Sequence, residues 1–341
     1  MNSSNDDVKT CGSKKMLEIL SGDKDIDTIK NEAKEGDVSA QVALMLLYSA
    51  GNFVEKDINQ AYKWAKLAAE KGNELAQTNI INFSIADTIE QLDSKFALKY
   101  AKELAKKDNK VAILGLAIFY YIGKYVERDV DKAVEYLEHP AVKDDVKAQQ
   151  LLAEIYFRGE SSRGVNYKKA LECVNIGIQA KSAQAYLLFG KMNENGLGVP
   201  KNEKEAFRLY RLSLNGEEAF GAFRLALCYR DGIGTKRNPE KAAKWFKVSV
   251  DGGYEYAKEH LADMYFSGDG VPKNYSAVID LLKDMAEYLD GYSQCMLGLS
   301  YLHREKEPDD IEKGIYWVQR AAEQGNEDAI RLLPDLFETF R

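Results

Sequence analysis

Histidine is the residue type in this chain that would most readily bind a metal or transfer a proton near neutral pH. The chain contains three histidines, His139, His260 and His303. They form no His-Glu-x-x-His motif, and none stands at metal-ligand spacing from a cysteine. We therefore expect no metal site and no catalytic histidine, and we interpret His260 and His303 as residues of a helix surface or groove.

Cysteine could serve as a nucleophile, a metal ligand or a disulfide partner. Four cysteines among 341 residues are too few for a disulfide scaffold. Cys173, Cys228 and Cys295 fall in helical segments, where a cysteine is usually a small buried residue. We expect them to be core thiols without chemistry.

Glycine-rich loops occur at residues 196–198, 232–234 and 268–270 and have the composition of phosphate cradles. No predicted strand precedes them, and they return at a regular interval, so we interpret them as turns between helices. The many carboxylates show no pairing that would indicate general acid–base catalysis. The sequence therefore predicts no catalytic residue, no cofactor and no enzyme.

Composition and charge narrow the class of protein further. The chain is 45% hydrophobic and 30% charged, which is typical of a folded domain rather than a disordered chain. Its net charge of -7 argues against nucleic acid as a partner. It has no run of 18 apolar residues that could enter a membrane and no apolar signal segment at its start. The cytoplasm is the expected location, with the periplasm as the alternative if a signal has been removed.

A repeat of about 36 residues organises the chain. Seven of the eight spacings between successive repeat starts are 36 and one is 37. The starts are small residues: Ala40, Ala76, Ala112, Ala148, Ala185, Gly221, Ala257, Ser293 and Ala329. We count positions in each repeat from its start, which is offset 0. Offset 8 is usually Tyr, offset 11 usually Gly and offset 21 usually Ala, which predicts eight repeats.

Each repeat reads as two helices. The small, large apolar and Tyr positions at offsets 0, 4 and 8 share one helical face, and the Gly at offset 11 is a helix terminator. Asp or Asn then recurs at the position that caps a second helix. These residues are Asp57, Asp93, Asp129, Asn166, Asn202, Asn238, Asn274 and Asp310.

Such a helix pair is too small to form its own core, so neighbouring pairs must stack. The sequence therefore predicts an all-α fold, a right-handed α-solenoid superhelix of eight helix-turn-helix repeats with capping helices at its ends. We expect a disordered segment over 1–12, a cap with a half repeat over 13–39, and repeats over 40–328. A cap helix interrupted by Pro334 is expected over 329–341. The second repeat has Ser84 and Asp87 in place of Tyr and Gly, which predicts a distorted loop.

The residues at the junction between repeats carry a family resemblance. Residues 64–76 read WAKLAAEKGNELA and residues 317–329 read WVQRAAEQGNEDA. With the offsets above, they resemble the SEL-one-like repeat family, a relative of the tetratricopeptide repeats, over about residues 24–341. The resemblance implies an adaptor in a protein complex. Some bacterial members guard against toxic effectors or organise envelope polysaccharide export. One secreted branch has a disulfide in every repeat, which this chain's single scattered cysteines do not match.

Tetratricopeptide geometry places the first helices on the concave side, and offsets 2, 6 and 9 form a stripe apart from the packing positions. We therefore predict a partner-binding groove across repeats three to seven. It contains Leu114, Ile118, Tyr121, Glu154, Phe157, Lys191, Glu194, Phe223, Arg230, Asp263 and Phe266. The aromatic rings Tyr121, Phe157, Phe223 and Phe266 are the expected hot spots. The alternative is a narrow groove in which these rings only pack on the neighbouring helix.

Several functions remain open at this point. The first hypothesis is a scaffold that binds a protein or peptide without catalysis, either as an adaptor or as a neutraliser whose acidic groove covers a basic toxic effector. The second is a carbohydrate- or peptidoglycan-binding module, because exposed aromatic rings can stack on sugars. An enzyme is the third, although no residue pattern indicates one.

Overall fold

Helices form all of the regular secondary structure in the part of the chain that the computed structural model describes, residues 25–86, 94–216, 218–288, 290–304 and 309–339. Over these ranges there are eighteen α-helices, two 3-10 turns and no strand, so the all-α prediction is confirmed. The structure does not describe residues 1–24, which include the expected disordered segment over 1–12 and the start of the cap predicted over 13–39. Asp93 and the loop expected to be distorted near Asp87 also lie outside the described residues.

The chain divides into two compact units, residues 1–173 and 174–341. The first unit holds α1 to α8, and α9 crosses its end. Their bounds are Ile26–Glu35, Val38–Ala50, Ile58–Glu70, Glu74–Ile85, Ser94–Ala105, Lys110–Ile122, Val130–Leu137, Val146–Arg158 and, for α9, Tyr167–Gln179. A 3-10 turn, Pro140–Val142, follows α7. Helix α1 lies before Ala40, where the sequence predicted a half repeat, and that division of the chain stays a prediction.

The second unit holds α10 to α18. Their bounds are Ala183–Asn195, Glu203–Ser213, Glu218–Asp231, Pro239–Asp251, Tyr256–Ser267, Tyr275–Leu282, Gly291–Arg304, Asp310–Glu323 and Glu327–Thr339. A 3-10 turn, Lys283–Tyr288, follows α15. In both units, helices pack mainly on their neighbours in sequence, which is the arrangement of an α-solenoid.

In six of the repeats that the structure describes, the predicted glycine and cap build the turn between the two helices. The glycines at offset 11 that end α2, α6, α8, α10 and α14 adopt left-handed φ values between 69 and 80°. The cap side chain then accepts a hydrogen bond from the backbone three residues ahead, as in Asp57 with Gln60 N at 3.0 Å. The cap's own N–H donates to the carbonyl at offset 8, as in Asn238 to Tyr229 at 2.7 Å. The same bond recurs from Asp57, Asp129, Asn166, Asn202 and Asn274.

A second capping position, three residues before each repeat start, was missed by the sequence reading. Asp37 and Asn73 accept hydrogen bonds from the backbone of Ala40 at 2.7 Å and of Ala76 at 2.9 Å. The same position is occupied by capping side chains at Asn109, Asp145, Ser182, Asp290 and Asn326. Side chains therefore cap both helices in several of the described repeats, which satisfies backbone N–H groups that would otherwise lack partners, whereas α14 has no side-chain cap.

The last repeat departs from the pattern at two positions. Arg304 stands where six other repeats have Gly. Asp310 pairs with Arg304 instead of capping α17, which begins after Asp309 without a side-chain cap. The predicted capping role of Asp310 is therefore wrong. The expected interruption at Pro334 is also wrong, because α18 continues through it. Leu333 and Leu336 pack against the terminal core, and that burial holds the helix despite the missing proline N–H.

The cores consist of the small and apolar positions of the repeat. In the first unit, the alanines at the repeat starts are fully buried beside Leu44, Ile80 and Leu116. In the second unit, Ala242, Phe246 and Leu261 form a comparable cluster. At Gly190, the helix lies so close to the Tyr210 ring that only glycine fits, because a Cβ there would lie 2.5 Å from the ring. The core uses these faces of each helix and leaves other first-helix positions facing outward.

Candidate functional site

The predicted groove residues of the first unit are partly engaged in local contacts. Leu114 and Ile118 are half-buried on α6. Tyr121 donates its hydroxyl to Glu160 at 3.3 Å, and Glu154 pairs with Arg158 at 2.9 Å. Phe157 is buried to 8% exposure and packs on the Tyr167 ring at 5.6 Å. Little of the Phe157 ring is therefore open to a ligand.

Glu194, a predicted groove residue of the second unit, faces a buried polar cluster. Its carboxylate accepts from the hydroxyl of Tyr210 at 2.5 Å and pairs with Arg224, and both members of the ion pair are largely buried. The Arg224 guanidinium also lies over the Tyr210 ring, 4.9 Å from its centroid. Burial strongly raises the pKa of Tyr210. This cluster links α10, α11 and α12. Lys191, another predicted groove residue on α10, is exposed.

Phe266 and Arg230 also make local contacts in the second unit. Phe266 is half-buried and packs edge-on against Tyr275 at 5.9 Å, and Tyr275 stacks on His303 at 4.7 Å. Arg230 donates to both carboxylate oxygens of Asp231, at 2.7 and 2.9 Å. His303 is therefore an exposed helix residue stacked on a ring, as its sequence context predicted.

The two remaining predicted residues, Phe223 and Asp263, lie together in a cleft. We call it the aromatic cleft; it is an open cavity of about 490 Å³ along the starts of α14 and α16. It is lined by Phe223, Tyr254, Tyr256, Glu259, His260, Asp263, Asp290, Tyr292, Ser293 and Met296. Every lining residue belongs to the second unit. A concave site with rings and a few polar groups is the usual form of a binding site.

A row of rings forms one wall of the aromatic cleft. The Phe223 and Tyr254 centroids are 5.0 Å apart, and those of Tyr254 and Tyr256 are 5.6 Å apart. Phe220 extends the row, 5.3 Å from Tyr254. Tyr256 is 71% exposed, so its ring contributes little to the core and is available to another molecule.

Carboxylates supply the polar part of the cleft. Asp263 accepts the hydroxyl of Tyr292 at 2.7 Å, and Glu259 accepts the hydroxyl of Ser293 at 3.3 Å. Burial and the hydrogen bond to Asp263 raise the pKa of Tyr292 to about 12. A carboxylate offers about four lone-pair positions, so these contacts leave acceptor capacity for a ligand. The cleft wall as described contains three carboxylates and no lysine or arginine.

His260 closes the inner end of the cleft between rings. It stacks on Phe246 at 5.2 Å and lies 5.4 Å from Phe223. Burial, and then the nearby Arg230, lower the pKa of His260 below its usual value. Its Nδ1 lies 3.1 Å from a guanidinium nitrogen of Arg230, which can only donate, so Nδ1 accepts and Nε2 carries the hydrogen. His260 is therefore a neutral member of the wall.

The sequence reading missed the most exposed rings of this site. Phe220, Tyr256 and Tyr292 each precede a repeat start by one residue, in three consecutive repeats. All three are exposed, Tyr292 by 54%. Offset -1 lies on the same helical stripe as offsets 3 and 6, two turns along. The sequence signal that could have predicted this site is the recurrence of an aromatic residue, in three consecutive repeats, at a position that does not pack in the core.

Metal and thiol chemistry find little support in the described residues. Across those ranges, no group of three or more His, Cys, Asp and Glu side chains is placed to hold a metal ion. Burial raises the pKa of Cys173 to about 11 and that of Cys228 to about 12, and it also raises the pKa of Cys295. A protonated thiol is a poor nucleophile, which agrees with the predicted core role. No described helix is long and apolar enough to span a membrane.

Comparison with known structures gives the same repeat architecture. A protective antigen present in uropathogenic Escherichia coli strains, displaying an SLR fold, is 26% identical with a TM-score of 0.66. The match covers 92% of this chain and 68% of that one. A Sel1 repeat protein from Oxalobacter formigenes is 21% identical with a TM-score of 0.63, over 91% of this chain and 90% of that one. No curated protein has significant sequence similarity to the chain.

The model of the Sel1 repeat matches seven segments of the chain: 38–73, 110–138, 146–176, 183–216, 219–254, 256–277 and 291–326. The predicted second repeat, which contains α4 and α5, is not among them, so the count of eight stays a prediction. The matched segments cover more than half of the sequence and coincide with the helix pairs. With its capped helix pairs and its structural neighbours in agreement, the chain belongs to the Sel1 repeat family.

Proposed function

We propose that this protein is a non-catalytic scaffold that binds a protein or peptide partner in the aromatic cleft. Sel1 repeat proteins are generally protein-interaction scaffolds and typically lack catalytic activity. The observation that carries the proposal is the exposure of Tyr256 and Tyr292 beside a cavity, at positions the core does not use. Such rings contribute binding energy when a partner removes them from water.

The cleft is the part of the predicted groove that we propose as the binding surface. Phe223 and Asp263 belong to it, and Arg230 supports it through His260. The remaining groove residues, Leu114, Ile118, Tyr121, Glu154, Phe157, Lys191, Glu194 and Phe266, stay candidates for secondary contacts.

The test is an affinity purification with quantitative mass spectrometry. The bait variants are wild type, Tyr256→Ala/Tyr292→Ala, and the control Tyr288→Ala, which removes an exposed ring outside the cleft. We expect a specific protein to be enriched by wild type and the control and lost by the double variant. Circular dichroism checks that all three baits keep their helices. If every protein captured by wild type is captured equally by the double variant, the proposal is wrong.

Two other functions remain candidates, and a specific feature of the cleft favours each of them. The three carboxylates of the cleft favour a neutraliser that covers a basic effector, which is a special case of the same scaffold. The exposed tyrosine rings beside carboxylates also suit a sugar, which keeps the carbohydrate- or peptidoglycan-binding alternative. A glycan array with no hits would remove that alternative.

We include the cytoplasm in this proposal as the location of the scaffold. The support is that Cys173, Cys228 and Cys295 are buried free thiols. Disulfides form and persist in oxidising compartments, whereas thiols are kept reduced in the cytosol. Fractionation of the native cell, with detection of the untagged protein, would decide between cytoplasm and periplasm.

A further inference from the structure

The rings and carboxylates of the aromatic cleft together select a cationic ligand group. The face of an aromatic ring carries partial negative charge and attracts a cation within about 6 Å. Asp263 and Glu259 add full negative charges to the same cleft that Tyr256 and Tyr292 line. A neutral apolar ligand would remove water from these carboxylates without compensating their negative charge, which is costly.

Arginine fits this combination better than lysine does. Its planar guanidinium stacks on a ring and donates through several N–H groups at once, whereas the lysine ammonium is a strongly hydrated point charge. The chain already makes this contact internally: Arg224 lies over Tyr210 while pairing with Glu194. That cluster combines a tyrosine, a carboxylate and a guanidinium. In the cleft, the tyrosine and the carboxylate come from this chain and the wall has no arginine.

We propose that the aromatic cleft binds an arginine side chain in a basic segment of the partner protein. This rests on the proposed scaffold function and specifies the partner's chemistry. Tyr256 supplies an exposed face for the guanidinium, and Asp263 and Glu259 supply the acceptor oxygens. Tyr292 is a positioning residue, because its hydroxyl holds Asp263 through the 2.7 Å hydrogen bond.

The first experiment measures binding of defined peptides by isothermal titration. The probes are a nine-residue peptide with alternating arginine and glycine, and matched peptides with lysine or with neutral citrulline in place of arginine. We expect the affinities to follow the order arginine, lysine, citrulline, with at least a tenfold difference between the first and the last. Equal binding of the arginine and citrulline peptides would overturn the proposal.

Matched variants separate the cleft from the general negative charge of the chain. Tyr256→Ala leaves the net charge unchanged, and Asp263→Asn keeps an oxygen that can accept from Tyr292. We expect each substitution to lower the affinity for the arginine peptide about tenfold. The controls are Tyr288→Ala and Asp144→Asn, which alter an exposed ring and an exposed carboxylate outside the cleft. Equal weakening by the controls would show non-specific attraction and would overturn the proposal.

A third probe, chitotetraose, tests a sugar ligand in the same cleft. Saturable binding of the sugar that Tyr256→Ala abolishes would overturn the arginine assignment. The scaffold function and the arginine ligand are separate proposals, and the experiments distinguish the failure of one from the failure of the other. If the captured partner depends on the cleft but the arginine peptide does not, the anchor chemistry is wrong and the scaffold function stands. If neither depends on the cleft, both are wrong.

Discussion

Arg304 and Asp310 form a two-point ion pair across the turn of the last repeat, with Arg304 Nε 2.9 Å from one carboxylate oxygen. The Asp310 side chain is 1% exposed, so its charge is compensated almost entirely by protein groups. Six other repeats have a left-handed glycine and a capping Asp or Asn at these positions, as at Gly51 and Asn238. In the last repeat, the residues at the corresponding positions form a side-chain ion pair.

The first prediction concerns this ion pair. Arg304→Ala should lower the free energy of unfolding by about 3–5 kcal/mol, because it leaves a buried carboxylate without its partner. The double variant Arg304→Ala/Asp310→Ala should cost less than the single one, since both charges are then gone. Urea unfolding followed by circular dichroism measures both. A single-variant loss below about 0.5 kcal/mol, the size of an ordinary surface change, would contradict the interpretation.

A second prediction concerns acid stability in the first unit. Burial opposes ionisation of Glu138, but hydrogen bonds from Lys169, Tyr156 and Arg163 outweigh it and lower the pKa of Glu138 from 4.5 to about 2. The carboxylate therefore stabilises the fold fully above pH 4.5 and loses that contribution as the pH falls toward 2.

Thermal unfolding at a series of pH values measures this contribution. We expect wild type to lose more stability between pH 4.5 and 2 than Glu138→Gln, whose side chain does not titrate. Glu172→Gln serves as the control, because Glu172 is exposed on the same unit. Parallel pH profiles for wild type and Glu138→Gln would show that Glu138 does not carry the acid dependence.

The third prediction concerns the second glycine of the Gly-x-Gly turns. Gly234 has a φ of +65°, and a Cβ there would lie 2.0 Å from the Glu203 carbonyl oxygen. Gly253 also has a positive φ, +86°, but a Cβ there meets nothing within 4 Å. Gly253→Ala should therefore show only the conformational cost of about 1–2 kcal/mol.

Gly234→Ala should destabilise the protein by more than Gly253→Ala, because the backbone of α11 must move as well. We expect a difference of about 1–3 kcal/mol between the two variants, measured by urea unfolding. Equal losses would mean that the turn can shift without cost, and that close approach does not explain this glycine.

A fourth prediction concerns thiol reactivity. Burial raises the pKa values of Cys173, Cys228 and Cys295, so few thiolates exist at neutral pH. In a Cys11→Ser variant, which isolates these three, labelling by a disulfide reagent should be slow in the native protein and complete in urea. Rapid labelling of any one of them in the native state would indicate an accessible, activated thiol and contradict the core role.

Local residue types were sufficient to predict the repeat, its two helices and most caps of the second helices, whereas the caps of the first helices were missed. The glycine at offset 11 and the Asp or Asn that caps the second helix act within one turn of chain, so their effect depends on residue type and spacing. Asp310 was predicted wrongly for the same reason, since its actual partner is decided by the unusual Arg304. The capping preference of Asp depends on nearby residue types and does not account for an ion pair with Arg304.

The sequence by itself determined that helix pairs stack on their neighbours, because hydrophobic period and capping chemistry are local properties. Only the tertiary structure decided which outward positions are used for packing and which face a cavity. Glu194 and Asp263 share the same helical stripe, yet the first is enclosed by Tyr210 and Arg224 while the second faces the aromatic cleft. That difference depends on which side chains the adjacent repeats contribute, and no single repeat contains this information.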